Sequence, residues 1–318
     1  MGRCYGAAMR WSTLVWIWVA QGIGGATPAV TKLALEGMGP FGLVVARQIL
    51  GTLFLLALAV WGARVRGGAA AARAPWTRRD VALLLTLAWA GFALPQLLGA
   101  IGLTLSTATH GALLSPLEPI GILLGAALVL RERLGPPHLL AGGLGAAGTL
   151  LIVLPSLSAG ADPRAGHLGG DLVMAAGHLC WAIYTLAAKS LVARHDPLQV
   201  AIRAGAISWL PLVPLALAEP FDPARALPAL GWVLLLAFLA TAVATVAWNR
   251  ALREVSAGTM AIFVFVQPLV GLTIGVLGLG EPVTLASLLG AALIAVGVAL
   301  ATLRGERVTA QPAVQASS

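Results

Sequence analysis

Residues 111–132 read GALLSPLEPIGILLGAALVLRE, and residues 260–281 read MAIFVFVQPLVGLTIGVLGLGE. Each is an apolar run with a proline in its middle and a glutamate at its end. A shift of 149 carries Pro119 onto Pro268, Glu132 onto Glu281 and, beyond the two runs, Gly148 onto Gly297. A shift of 157 carries Lys32 onto Lys189 and Pro40 onto Pro197, so TKLALEGMGP (31–40) corresponds to AKSLVARHDP (188–197). Leu and Ala coincidences are cheap in a chain of this composition. Prolines and charges inside apolar runs are not, because proline removes a helix hydrogen bond and lipid penalises charge.

The 318 residues are 59% hydrophobic and 10% charged, with a mean hydropathy of +0.91. Soluble domains carry roughly 25% charge, so the composition predicts a polytopic membrane protein. The formal charge of +8 is spread in small groups between apolar runs, which argues against nucleic acid as a partner. Cys4 and Cys180 form neither a disulfide framework nor a metal-ligand spacing. No G-x-x-x-x-G-K-[ST] motif is present, which argues against an ATP-driven pump. No cofactor is expected, and no metal.

Spans are expected near 11–33, 41–62, 80–101, 106–130, 137–155, 169–191, 198–218, 228–249, 256–279 and 284–303. The first of these reads as a span rather than a cleaved signal, because its apolar run is long and has a counterpart later in the chain. With ten spans, 15 Lys and Arg fall on the side of the termini and 3 on the other, which predicts cytoplasmic termini. The fold expected is an all-α membrane protein of ten transmembrane helices, built as two inverted five-helix repeats. Residues 1–155 and 169–303 are the repeats, and 304–318 is read as a disordered cytoplasmic tail. Five spans per half invert the second half, as in many secondary transporters.

The run SAGTMAIFVFVQPLVGLTIGVLGLGEPVTLASLLGAALIAVGVAL (256–300), its weaker partner at 107–151, and Asn249-x-Ala251-Leu252 resemble the ten-span, EamA-type branch of the drug/metabolite transporter superfamily. Gly280-Glu281 fits the family pattern, whereas Arg131-Glu132 puts arginine in the glycine position. The resemblance implies export of small metabolites without ATP hydrolysis, and no enzymatic activity. Amino acids lead by analogy alone, with proton coupling as an option. The location implied is the bacterial cytoplasmic (inner) membrane, with a small-molecule substrate and the lipid bilayer as partners, as monomer or homodimer. The rival reading is a flippase-like carrier of a lipid or lipid-linked sugar.

Pro119 and Pro268 are expected to kink their helices at the carbonyls of Ser115 and Val264 and to serve gating. Glu118 sits mid-span, where a charge costs on the order of 2.5–3.5 kcal/mol, so it must be protonated, paired or hydrated. Its counterpart Gln267 carries no charge. Glu118, Gln267, Asn249, Arg47, Arg203, Trp181 and Tyr184 are the candidates for substrate binding or coupling. The arginines could recognise an anionic group or snorkel to an interface. His110 and His178 read as bundle residues, and Trp11 and Trp76 as interface anchors. Lys32, Lys189, Glu132 and Glu281 are expected to complement the dipoles of their own adjoining helices.

Overall fold

Hydroxyl and carboxylate caps open most of the helices after the second. Thr77 and Asp80 form a reciprocal capping box, with the Asp80 N–H donating to Thr77 Oγ1 at 3.2 Å and the Thr77 N–H donating to Asp80 Oδ2 at 2.9 Å. Asp196 and Asp222 each precede a proline and accept from the first free N–H groups of their helices. Further on, Ser256 and Thr284 accept from the N–H groups of Thr259 and Ser287. The computed structural model describes residues 10–65, 75–106, 111, 114–160, 168–279 and 284–304. In chain order its helices are α1 Trp11–Leu35, α2 Pro40–Val65, α3 Arg78–Leu105, α4 Leu117–Leu128 and α5 Pro136–Gly160. They continue with α6 Leu168–Val192, α7 Pro197–Ala218, α8 Pro223–Glu254, α9 in two pieces (Ala257–Val264 and Gln267–Leu279) and α10 Leu285–Arg304.

The described residues are helical, with no strand among them. Seven helices in that set, α2, α3 and α6 to α10, are long and apolar enough to cross a membrane. The terminal tail and Glu281 lie outside the described residues, as does His110. The eighth expected span starts earlier than its hydrophobic run, because Asp222 and Pro223 supply a cap and a first turn ahead of it.

Two irregularities recur at matched places. The helix around Pro119 breaks at Ser115–Pro116, and the one around Pro268 breaks at Phe265–Val266. Three-residue bonds bridge both breaks: the Glu118 N–H donates to the Ser115 carbonyl at 3.2 Å, and the Leu269 N–H to the Val266 carbonyl at 3.0 Å. The Ser115 carbonyl, which Pro119 cannot reach, is thus recruited by the residue before it. Likewise α3 contains a π-helical turn at Trp89–Ala93, and α8 one at Leu236–Val243. The shift of 149 lays the first inside the second.

Contacts at helix termini define two ends of the bundle. At end A lie the starts of α1, α3 and α9 and the finishes of α4, α6 and α8. Here the Thr13 hydroxyl donates to Glu254, Arg194 pairs with Asp80 at 3.1 Å, and the Ala257 and Gly258 N–H groups donate to Glu132 at 3.0 Å each. At end B lie the finishes of α1, α3 and α7 and the starts of α2, α6 and α8. There Glu219 accepts from the N–H groups of Phe41 and Gly42 at 3.1 and 2.7 Å, and Ser106 donates to Asp171 at 2.5 Å. Helices α5 and α10 pack antiparallel: Gly148 faces Gly290 while Gly297, further on, faces Ala141. A Cβ on Gly148 would stand 2.5 Å from the Gly290 carbonyl oxygen, and one on Gly290 would stand 2.5 Å from that of Gly148. Small residues thus set this backbone approach.

Candidate functional site

Midway between the ends, α3 and α6 press aromatic rings together. Phe92 contacts Trp181 at 6.3 Å and Tyr184 at 5.6 Å between ring centroids, and Trp181 meets Tyr184 edge-on at 5.7 Å. Gly91 makes this possible, since a Cβ there would lie 2.6 Å from the Tyr184 Cα. The Tyr184 hydroxyl donates to Asn249 Oδ1 at 2.9 Å, tying α6 to α8. Asn249 is wholly buried and its Nδ2 has no hydrogen-bond partner among the described residues. The structure therefore brings together three of the candidates, Trp181, Tyr184 and Asn249.

Two amides escaped the sequence reading. Gln96 lies one helical turn beyond Phe92 on α3 and is 7% exposed, and Gln48 on α2 is fully buried. Both ends of both amides are unpartnered among the described residues. A buried unsatisfied polar group costs about 1–3 kcal/mol, so these amides are concentrated, unspent hydrogen-bonding capacity. Glutamine among Leu and Ala carries no charge and fits many positions. The only available signal was its cost inside an apolar span.

Glu118 on α4 faces His178 on α6. The His178 Nδ1 to Glu118 Oε2 distance is 4.0 Å, within ion-pair reach but beyond a hydrogen bond, and Nδ1 has no other partner. The imidazole Nε2 lies 3.3 Å from the Gly111 carbonyl oxygen. At the other break Gln267 Nε2 donates to Gln21 Oε1 at 2.9 Å, joining α9 to α1. Gly24 and Gly25 leave room for the Gln267 side chain and the turn after it. Pro119 and Pro268 immediately follow the two bridging residues, Glu118 and Gln267.

The arginines are placed differently from each other. Arg47 is buried, and its Nε donates to Thr241 in the π turn of α8 at 2.8 Å. Arg203 is exposed, with its guanidinium 4.5 Å from the centre of the Trp76 ring. Trp76 also stacks on His195 at 4.0 Å between ring centroids, so Trp76 is engaged by two side chains of end A rather than free as an interface anchor. His195 Nε2 stands 3.3 Å from Asp80 Oδ2, close enough for an ion pair but off the hydrogen-bond direction. Trp11, by contrast, is 79% exposed.

Dipole complementation was expected within each helix and its neighbour in sequence. Instead Lys189 donates to the Leu252 and Val255 carbonyls at 2.7 and 2.6 Å, at the finish of α8. Glu132 serves the start of α9 rather than that of α5. The charges are right for the termini they meet, but those termini belong to other helices.

A crystal structure superposes on 93% of this chain and 99% of its own with a TM-score of 0.70 at 20% identity, which establishes a shared fold. An uncharacterized transporter of Archaeoglobus fulgidus is 25% identical over 275 residues, 86% of this chain and 91% of that protein. A Streptantibioticus cattleyicolor protein named as a probable terminal-alkyne amino-acid exporter is 28% identical over 301 residues, 93% of this chain and 95% of its own. The model of the EamA-like transporter family matches twice, at residues 11–154 and 168–303. With most of its length matched in these two segments, the chain belongs to the EamA-like transporter family.

Proposed function

We propose that this transporter carries a small amphipathic metabolite, an amino acid or a close relative, outward by alternating access. In this reading the two matched segments are inverted five-helix repeats and the chain crosses the inner membrane ten times. End A is cytoplasmic in this reading: Arg10, Arg78, Arg79, Arg131, Arg133, Arg194, Arg250 and Arg253 all lie at helix ends on that side.

The observation that carries the proposal is the pattern of ties. At each end, carboxylates of one segment hold helix starts or side chains of the other: Asp80, Glu132 and Glu254 at end A, Asp171 and Glu219 at end B. Between them sit the Phe92–Trp181–Tyr184 rings and the unpartnered amides of Gln96 and Asn249. A site with two breakable closures is what alternating access requires. Aromatic walls with neutral amides suit a substrate that is apolar at one end and hydrogen-bonding at the other. The relative named as an amino-acid exporter supports the same class.

The test is flux of labelled amino acids through the purified chain in proteoliposomes, with and without a pH gradient. Counterflow of apolar or aromatic amino acids, reduced at least tenfold by Asn249→Leu, is the expected result. Transport of no water-soluble solute, with co-purified lipid, would replace the proposal by a lipid carrier.

A further inference from the structure

The two polar bridges beside the helix breaks occupy equivalent places. The shift of 149 carries Glu118 onto Gln267, and the shift of 157 carries Gln21 onto His178. The structure joins Gln21 to Gln267 and sets His178 against Glu118. One place thus holds two neutral amides and the other a carboxylate and an imidazole. We propose that Glu118 and His178 form a single proton-binding site that acts on the α4 break alone, with the Gln21–Gln267 bridge as its fixed counterpart. This rests on the reading of the chain as a carrier.

The hydrogen bonding sets the chemistry. A carbonyl only accepts, so the contact with Gly111 requires the proton of neutral His178 on Nε2. Nδ1 then presents a lone pair to Oε2 of an ionised Glu118, and two acceptors face one another at 4.0 Å. One proton taken from water resolves this. Held between Nδ1 and Oε2, it makes a charge-assisted hydrogen bond and turns a site of charge −1 into a neutral one. Its release restores the buried charge, which an apolar span penalises.

The geometry turns this proton into a mechanical input. Gly111 precedes the Ser115–Pro116 break and Glu118 follows it, so His178 touches chain on both sides of the break. Proton uptake draws the second side toward α6, and proton loss lets it go. The amide bridge at α9 is closed at 2.9 Å and has nothing to titrate. Of two equivalent junctions, only one answers to protons.

Among the described residues the surroundings supply no competing charge; His110, next to Gly111 in the chain, lies outside them. Helix α3 has no ionisable side chain after Asp80, and the first piece of α9 has none. The charges of α8 and α7 nearest in the packing, Arg250, Glu254 and Arg203, belong to the end A half. Along α6, Asp171 is engaged by Ser106 at end B and Lys189 by α8 carbonyls at end A, leaving Cys180 and Tyr184 as the other titratable side chains of the helix, the Tyr184 phenol bonded to Asn249.

The test needs no substrate, so it stands apart from the flux screen. Proton binding by the purified chain is titrated together with the carboxylate and imidazole bands in infrared difference spectra. The double variant Glu118→Gln/His178→Gln copies the amide pair of the other junction. It is expected to stay folded, to bind one proton fewer, and to lose the carboxylate and imidazole difference bands of the pair. Each single variant is expected to abolish the coupled response. Gln21→His/Gln267→Glu, which installs the ionisable pair at α9, is expected to add a second proton and covers the case in which the first variant does not fold. An unchanged proton count in the double variant, or two independent titrations each surviving loss of the other residue, overturns the proposal.

Discussion

Arg131 is the residue whose backbone and side chain disagree. Its φ of 56° lies in the left-handed region, and this turn lets the Glu132 N–H reach back to the Ala126 carbonyl at 2.9 Å. A non-glycine residue there costs roughly 1–2 kcal/mol. The equivalent position in the second segment is Gly280. Arg131→Gly is therefore expected to stabilise the protein by about 0.5–1 kcal/mol, since glycine relieves the strain but loosens the unfolded chain. A thermal unfolding midpoint that falls in this variant would contradict the account. The oddity was visible in the sequence as an arginine in a glycine's place. The partner of His178 was visible too: the shift of 157 that aligns Lys32 with Lys189 also aligns Gln21 with His178. Reading Glu118 and His178 as separate residues concealed the pair, because sequence spacing says nothing about which helices become neighbours.

At the scale of the element, composition located the helices well and their interruptions partly. Prolines announced the breaks near Pro119 and Pro268. The π turns of α3 and α8 had no such herald, since an extra residue in a turn leaves the hydrophobic run unchanged. Nor did the run of Gly and Ala in α5 say which helix it would meet. Gly148 now gives a sharp expectation. Gly148→Val places its Cβ against the Gly290 carbonyl and must push α5 from α10, whereas Gly143→Ala meets nothing within 4 Å. The first is expected to cost about 1–3 kcal/mol or more and to lower the yield of monodisperse protein. The second is expected to leave both yield and melting temperature unchanged, and equal losses in the two would remove the close approach as the explanation.

Across the whole molecule, the carboxylate ties divide the interface between the two matched segments into two layers. Glu219→Gln weakens only the layer at end B, and Glu132→Gln only that at end A, because each carboxylate meets backbone N–H groups at its own end. Hydrogen bonds to charged groups are worth about 1.5–3 kcal/mol, enough to shift a balanced two-state equilibrium at least tenfold. With Cys4 and Cys180 replaced, a single cysteine at Gln96 is expected to label faster from the end B side in Glu219→Gln and faster from the end A side in Glu132→Gln. Identical labelling in the two variants would show that the ties do not control access. The sequence contained every one of these carboxylates, but their partners lie up to 241 residues away in the chain, as with Thr13 and Glu254.

The stack at end A has a further property. Trp76 belongs to the approach to α3, while its indole is covered by two side chains of the second segment, His195 and Arg203. Indole emission depends on what lies against the ring faces. Any parting of the two segments at end A strips both covers at once, so the protein carries its own light signal for the state of that end.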